Sequence, residues 1–281
     1  MNVKYKKSVL SIILRLLVII AACLTCGVLL YIVGYILVMG IPNLSPELFS
    51  WEYNSDNLSM LPSIINTLII TALSLVIAVP LGIFSAIYLV EYAKRGNKLV
   101  SLIRVTAETL SGIPSIVYGL FGMLFFVTAL KMDYSILAGS LTMCIMILPL
   151  IMRTTEEALK AVPDIYREGS FGLGAGRLRT VFRVVLPSAV PGILAGVILS
   201  IGRIVGETAA LIYTAGTVAD IHESILDSGR TLSVHMYTLS REGLHIDQTY
   251  ATAVVLLIVV IFINALSAFV AKRITKRRGE A

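Results

Sequence analysis

Apolar residues fill this chain in six long stretches instead of alternating with polar ones. The stretches run from Val9 to Val38, Ile64 to Val90, about Ile103 to Leu130, Ile136 to Met152, Val190 to Ile212, and Ala251 to Val270. A helix needs about 20 apolar residues to cross a hydrocarbon core about 30 Å thick. Six helical spans are therefore predicted. The first run exceeds that need, so it tilts or projects beyond the bilayer. Glu108 weakens the start of the third, and Pro80, Pro114 and Pro149 lie within or near span ends. Such breaks are tolerated where neighbouring helices satisfy the freed backbone groups. Residues 1–60 read as an N-terminal span with an external loop, and 61–275 as the main body.

Charge orients this pattern. Lys4, Lys6, Lys7 and Arg15 precede or open the first span. Lys94, Arg95, Lys98 and Arg104 follow the second. Arg153, Lys160, Arg167, Arg177, Arg179 and Arg183 lie between the fourth and fifth, and Lys272, Arg273, Lys276, Arg277 and Arg278 follow the sixth. The opposite side carries only Lys131, Arg230 and Arg241, and Arg203 lies inside the fifth span. Cytoplasmic loops are the basic ones, so both termini are expected inside. Two loops exceed connection length: a cytoplasmic one at about Arg153–Pro187 and an external one at about Tyr213–Tyr250. Loops of that length are usually functional or disordered.

Composition closes off other classes. Of 281 residues, 57% are hydrophobic and 14% charged, against about 25% charged in soluble domains. A soluble enzyme, a disulfide scaffold and a disordered chain are excluded, leaving an all-α polytopic membrane protein. The net charge of +6 matters less than where it lies. Cys23, Cys26 and Cys144 fall inside apolar runs and read as small core residues. Ile20-Ala-Ala-Cys23 has the look of a lipidation box, but the apolar run continues past it.

Enzyme motifs are missing. No phosphate-loop or H-E-x-x-H pattern occurs, so neither ATP binding nor metal catalysis is expected on this chain. His222, His235 and His245 all fall in the external loop and read as solvated residues without a metal. The strongest anomaly is Gly202-Arg203-Ile-Val-Gly206-Glu207-Thr208. A base and an acid four apart share a helix face, and either is costly in hydrocarbon. The pair is either a structural bridge holding the helix in register or a charged point on a substrate path. Arginine suits an oxyanion, since its planar fork donates two parallel hydrogen bonds. Gly192, Gly196 and Ser200, then Gly202 and Gly206, recur every four positions, a spacing that admits a neighbouring helix closely. In Glu108-Thr-Leu-Ser-Gly-Ile-Pro-Ser115, Gly112 and Pro114 disfavour a regular helix, and Ser111 and Ser115 can donate to an oxyanion. Glu108, Ser111, Ser115, Arg203 and Glu207 are thus the pathway candidates. Gly172-Leu-Gly174-Ala-Gly176 fits no nucleotide fingerprint and reads as a turn between two short helices.

The cytoplasmic loop resembles the coupling ("EAA") motif in permease subunits of binding-protein-dependent ABC importers. That pattern is E-A-A, three residues, G, nine residues, I-x-L-P. This chain has Glu168-Gly169-Ser170, three residues, Gly174, nine residues, then Val184-Val185-Leu186-Pro187. Both alanines and the isoleucine are replaced. Gly112-Ile-Pro-Ser-Ile-Val-Tyr-Gly-Leu-Phe-Gly122 and Ile201-Gly-Arg-Ile-Val-Gly-Glu-Thr-Ala-Ala-Leu211 are similar to segments of phosphate permeases. The continuation to Gly216 is nearer the PstA kind than its PstC partner. The likeness covers roughly residues 60–270.

The resemblance implies a type I importer permease fold with the coupling loop at about 153–187. It implies a PstC-like permease subunit, two ATP-binding subunits holding ATP and magnesium, and an extracytoplasmic phosphate-binding protein. The cargo would be inorganic phosphate, or another oxyanion such as sulfate or molybdate. No cofactor is expected in this chain, which would contact membrane lipid and no nucleic acid. Glu168, Gly169, Ser170 and Gly174 would couple to the ATPase, with motion passing into the fifth span through Leu186 and Pro187. Glu207 would either hold Arg203 in place and limit how tightly the anion binds, or accept a hydrogen bond from a protonated phosphate oxygen.

Overall fold

The computed structural model describes residues 9–94, 96–221 and 223–279. Lys4, Lys6, Lys7, Arg95 and His222 lie outside them, as do the side chains of Lys276, Arg277 and Arg278. The described residues form helices and no strands. In order these are α1 (Val9–Gly40), α2 (Leu61–Ile87), α3 (Lys98–Ser111), α4 (Ser115–Gly122), α5 (Ile136–Lys160) and α6 (Asp164–Gly172). They continue with α7 (Arg177–Thr180), α8 (Leu186–Val205), α9 (Ala209–Ile212), α10 (Leu232–Glu242) and α11 (Ile246–Gly279).

Five helical stretches are long and apolar enough to span: Leu10–Asn43, Leu61–Tyr92, Ile136–Lys160, Arg177–Val205 and Ile246–Val270. The third predicted span is not one straight helix. It is two pieces, Lys98–Ser111 and Ser115–Ala129, bent by 103°. Pro114 has no N–H and keeps Ile113 out of helical geometry, and Gly112 removes side-chain support. The fifth span also differs from expectation. It begins at Arg177 and ends at Val205, with Gly206 as its C-cap.

α5 is the centre of the bundle. In its most apolar window 67% of residues are buried, against none for α1 and 11% for α11. Ile70 and Ala78 of α2, Met143, Met146, Ile147 and Ile151 of α5, Ile204 of α8 and Leu211 of α9 form one buried cluster. Lipid tails are as apolar as leucine, so helices in a membrane associate through close packing. Glycine supplies it here. A methyl group on Gly82 would meet Ile151 Cγ2 at 2.7 Å, and one on Gly192 would meet Ala158 Cβ at 2.6 Å. At Gly196 it would overlap Thr154. Gly192, Gly196 and the fully buried Ser200 thus form the expected interface, and its partner is α5. Gly202 has open space around its Cα and takes no part. α1 and α11 lie outside this core and pack on each other at Gly40, Tyr250 and Val254. Cys144 is buried as expected, whereas Cys23 and Cys26 are exposed, because among the described residues nothing packs on the part of α1 that carries them.

At the end of the bundle away from the coupling loop, His235 of α10 is fully buried, contrary to the solvated reading. The loop that carries it folds back onto α2: Leu232 N–H donates to Thr67 Oγ1 at 2.9 Å. Arg230, 4% exposed, lies over the Tyr53 ring at 4.5 Å, and that ring meets His235 edge-on. Burial, and then the Arg230 charge, push the His235 pKa down from 6.5 to about 3, weakly opposed by the Leu58 backbone. The imidazole is neutral, and protons bind the unfolded chain first. Its stabilising contribution is therefore complete above pH 6.5 and is lost as pH falls towards 3, by up to about 1.4 kcal/mol per pH unit. Thermal unfolding of the purified protein between pH 7 and 4 is expected to show this loss. His235→Phe should flatten the profile, and an unchanged profile would refute the assignment.

Candidate functional site

Two interrupted helices meet beside α5. At the first break, the Tyr118 hydroxyl donates to the Leu110 carbonyl at 2.7 Å, which also takes the Ile113 N–H at 3.1 Å. Ser111 Oγ donates to the Glu108 carbonyl at 2.8 Å, so that hydroxyl is already engaged. Ser115 opens α4 half-buried, and the Glu108 side chain is exposed. At the second break, Gly206 N–H still returns to Gly202, Glu207 N–H makes a tighter turn to Ile204, and α9 restarts at Ala209.

This second break overturns the expectation that Arg203 and Glu207 share a helix face. Gly206 ends α8 between them, and no ion pair joins them among the described residues. Each charge instead serves a helix end. Arg203 lies in the last turn of α8, where exposed carbonyls favour a cation. Glu207 Oε1 accepts the Ala210 N–H at 3.1 Å at the start of α9, where an anion is favoured. The Glu207 carbonyl also takes a 2.6 Å bond from Ser233 Oγ.

Packing brings the breaks together. A methyl on Gly119 of α4 would lie 2.8 Å from Ala210 Cα of α9. α8 runs antiparallel to α5, with Gly192 opposite Ala158 and Gly196 opposite Thr154, and past the break Ala215 and Leu211 lie beside Gly139. The same register sets Arg203 opposite Ile147, near the middle of α5 (Ile136–Lys160). A partly buried arginine thus sits level with the middle of α5, in the last turn of α8. Irregular backbone at that depth is tolerated where protein covers it or where it lines a cavity. Ile116 of α4, with Thr208 and Ala209 at the second break, lines a cavity of about 490 Å³ that Tyr213, Tyr237 and Arg241 also face. The pathway candidates themselves do not line it.

The coupling loop forms a second site. α6 ends in a Schellman turn: Gly174 N–H bonds the Phe171 carbonyl at 2.9 Å and Ala175 N–H the Ser170 carbonyl at 3.1 Å. This turn requires the left-handed φ of +82° at Gly174, which costs other residues about 1–2 kcal/mol. Ser170 Oγ meets Thr180 Oγ1 at 2.8 Å, tying α6 to α7. Glu168 and Gly169 are exposed, and nothing lies within 4 Å of a methyl built on Gly169. Ile165, Tyr166, Phe171 and the 90% exposed Leu173 leave an apolar surface uncovered. Leu186 and Pro187 lie inside the continuous helix Arg177–Val205. Pro187 has no N–H to return, and a wider turn over Val181–Val185 accommodates it, with Leu186 N–H reaching back to Val181.

Sequence reasoning missed the residues that hold this loop. Arg167 Nη2 donates to Glu91 Oε1 at 2.7 Å and to the Leu159 carbonyl at 2.9 Å. Its Nη1 donates to the Val162 carbonyl at 2.8 Å and to Asp164 Oδ1 at 3.1 Å. One guanidinium therefore closes the end of α5, fixes α6 and anchors both to Glu91 beyond α2. Nearby, Glu156 Oε1 is shared by Arg104 at 2.7 Å and Lys160 at 2.6 Å. The Glu156–Lys160 spacing was a usable signal. Glu91 ending an apolar run was a weaker one, and nothing local linked it to Arg167.

Comparison with known proteins agrees with this architecture. Residues 78–279 match the family described as binding-protein-dependent transport system inner membrane component. A probable ABC transporter permease protein, YqgI of Bacillus subtilis, is 32% identical over 240 residues, covering 80% of this chain and 81% of that protein. A phosphate transport system permease protein PstA 1 of Mycobacterium tuberculosis is 35% identical over 215 residues, covering 75% and 70%. In fold, the chain is similar to a solved bacterial alginate ABC transporter (TM-score 0.66, 16% identity, 95% of this chain and 98% of that one). It is also similar to the MetNI methionine ABC transporter (TM-score 0.59, 20% identity, 77% and 94%). With broken membrane helices around α5 and a coupling loop clamped to the bundle, the chain belongs to the binding-protein-dependent ABC importer permeases, the inner membrane components of these transport systems.

Proposed function

We propose that this chain is the PstA-like permease subunit of an ATP-driven importer for inorganic phosphate. The observation that carries this is the meeting of two interrupted spans near Arg203, in the last turn of α8, which no ion pair engages among the described residues. A cation there is costly unless it serves a pathway, and the guanidinium fork matches an oxyanion. The PstA proteins among its relatives favour phosphate over sulfate or molybdate. In this reading both termini are cytoplasmic, and the chain sits in a prokaryotic cytoplasmic membrane. It pairs with a PstC-like subunit above two ATP-binding subunits that hold ATP and magnesium, and a phosphate-binding protein delivers from outside.

The uncovered apolar surface of α6 enters the ATPase. ATP-driven movement of α6 passes along the continuous helix through Leu186 and Pro187 to Arg203, alternating access between the two sides. Arg203 offsets the anion's charge as it sheds water. Glu207, held at the start of α9, sets a negative boundary that limits how tightly the anion is kept. Ser115, Ser111 and Glu108 form the opposite rim at the first break.

Reconstitution of the chain with its three kinds of partner tests this. ATP-dependent uptake of phosphate in preference to sulfate and molybdate is expected. Sustained uptake by this chain alone, without nucleotide, would overturn it in favour of an ion-coupled carrier or channel. Gly174→Val should break the coupling turn: binding-protein-stimulated ATP hydrolysis falls while the membrane subunits still assemble. Normal stimulation by that variant would remove the turn from the mechanism.

A further inference from the structure

A cleft of about 1200 Å³ opens beside the coupling loop, between residues 89–94, Asn97, Lys98, Ser101 and Arg104 around the start of α3, Lys160 of α5, and Asp164, Arg167, Phe171 and Arg177 of the α6–α7 segment. Its charges do not balance. Among the described residues six bases line it, Lys94, Lys98, Arg104, Lys160, Arg167 and Arg177, against Glu91 and Asp164. Both of those carboxylates are engaged by Arg167. Glu156, beneath the cleft, serves both Arg104 and Lys160 through one oxygen. Among the described residues no carboxylate pairs with Lys94, Lys98 or Arg177. Arg177 lies over the Tyr92 ring at 5.3 Å, which holds the guanidinium at the cleft without neutralising it. The 14-residue α3 begins here with no acidic residue in its first turn; Asn97 Oδ1 caps the Leu99 N–H, and the neutral cap leaves the positive dipole end to add to the same field. The Ser101 hydroxyl is also at the wall.

Like charges gathered in a concave site repel unless an anion sits among them, and a tetrahedral oxyanion accepts from several donors at once. We propose that this cleft binds a phosphate group, held by Lys98, Arg177 and the start of α3, with Lys94 and Ser101 beside them. Two sources share that chemistry: the headgroup of an anionic phospholipid, and a free phosphate ion. Either would bridge α3 to α7 and so bind the coupling loop to the bundle at a second point beyond Arg167–Glu91. The charge and shape of the cleft favour such a group whichever ion crosses the membrane.

The assembled transporter, purified without its binding protein, provides the test. Inorganic phosphate is titrated while the thermal unfolding midpoint is followed in wild type, Lys98→Gln/Arg177→Gln and Arg203→Ala. The ATPase subunits contribute equally to all three, so differences report on this chain. The phosphate needed for half the shift should rise about tenfold in the double variant, the loss of a charge-assisted hydrogen bond, and should not rise in Arg203→Ala. In a second arm, native mass spectrometry counts the phosphatidylglycerol retained from mixed phosphatidylglycerol–phosphatidylcholine nanodiscs. A lipid occupant is retained severalfold less by the double variant, whose co-elution with the ATPase subunits checks its fold. Lys94→Gln/Lys98→Gln gives the same readings should that check fail. Loss in the first arm alone assigns a free anion, and loss in the second assigns a headgroup. Unchanged values in both arms would overturn the site, as would a phosphate response that only Arg203→Ala removes.

Discussion

Phosphate uptake by the reconstituted transporter is expected to fall about 100-fold in Arg203→Ala, with the complex still assembled. The guanidinium makes no hydrogen bond or ion pair within the described residues, so its removal leaves no buried partner unsatisfied. What is lost is the charge-assisted contact to the passing anion, worth about 1.5–3 kcal/mol. Arg203→Lys should recover part of the uptake, since it keeps the charge and loses the planar fork. Glu207→Gln separates two accounts. The Gln carbonyl can still accept the Ala210 N–H, so a mild effect is expected. If Glu207 held Arg203 by an ion pair, that change would injure uptake as severely as Arg203→Ala. Uptake at the wild-type rate in Arg203→Ala would remove the residue from the pathway.

The second large effect is expected at the clamp on the coupling loop. Arg167→Ala removes donors from Glu91, the Leu159 and Val162 carbonyls and Asp164 together. Glu91, 7% exposed, would be left as a buried charge without its partner. Breaking such a pair from one side costs about 3–5 kcal/mol. The coupling loop should then detach from the bundle. ATP hydrolysis should lose its response to the loaded binding protein, and uptake should cease. Arg167→Met/Glu91→Leu removes both charges and should restore part of the stability, as a higher unfolding midpoint. Transmission should stay broken, because the donors to α5 are still missing. Full recovery of uptake in the double variant would make the pair a stabilising contact only.

These two sites differ in how far the chain announced them. Arg203 stood out as a pathway candidate because a base inside an apolar run is improbable without a task. Its partner was misread because four-residue spacing implies a shared face only while the helix continues, and Gly206 ends it. The coupling turn was legible from Gly174 and the spacing around it. Its anchor was not, since Glu91 and Arg167 are 76 residues apart and each alone resembles an ordinary interfacial charge.

The sequence alone determined that this chain is a membrane bundle, roughly where its apolar stretches lie, and which segment resembles the coupling loop, but not the bend in the third span or the bounds of the fifth. Those are local properties, since burying a segment in lipid depends on its own apolar content and a left-handed turn on its own glycine. Only the tertiary structure decided that the α3–α4 and α8–α9 breaks meet at Gly119 and Ala210, that Arg203 lies opposite the middle of α5, and that one guanidinium clamps the loop. These depend on which distant surfaces fit closely enough to pack without a hydrophobic drive between them, and no run of neighbouring residues carries that information.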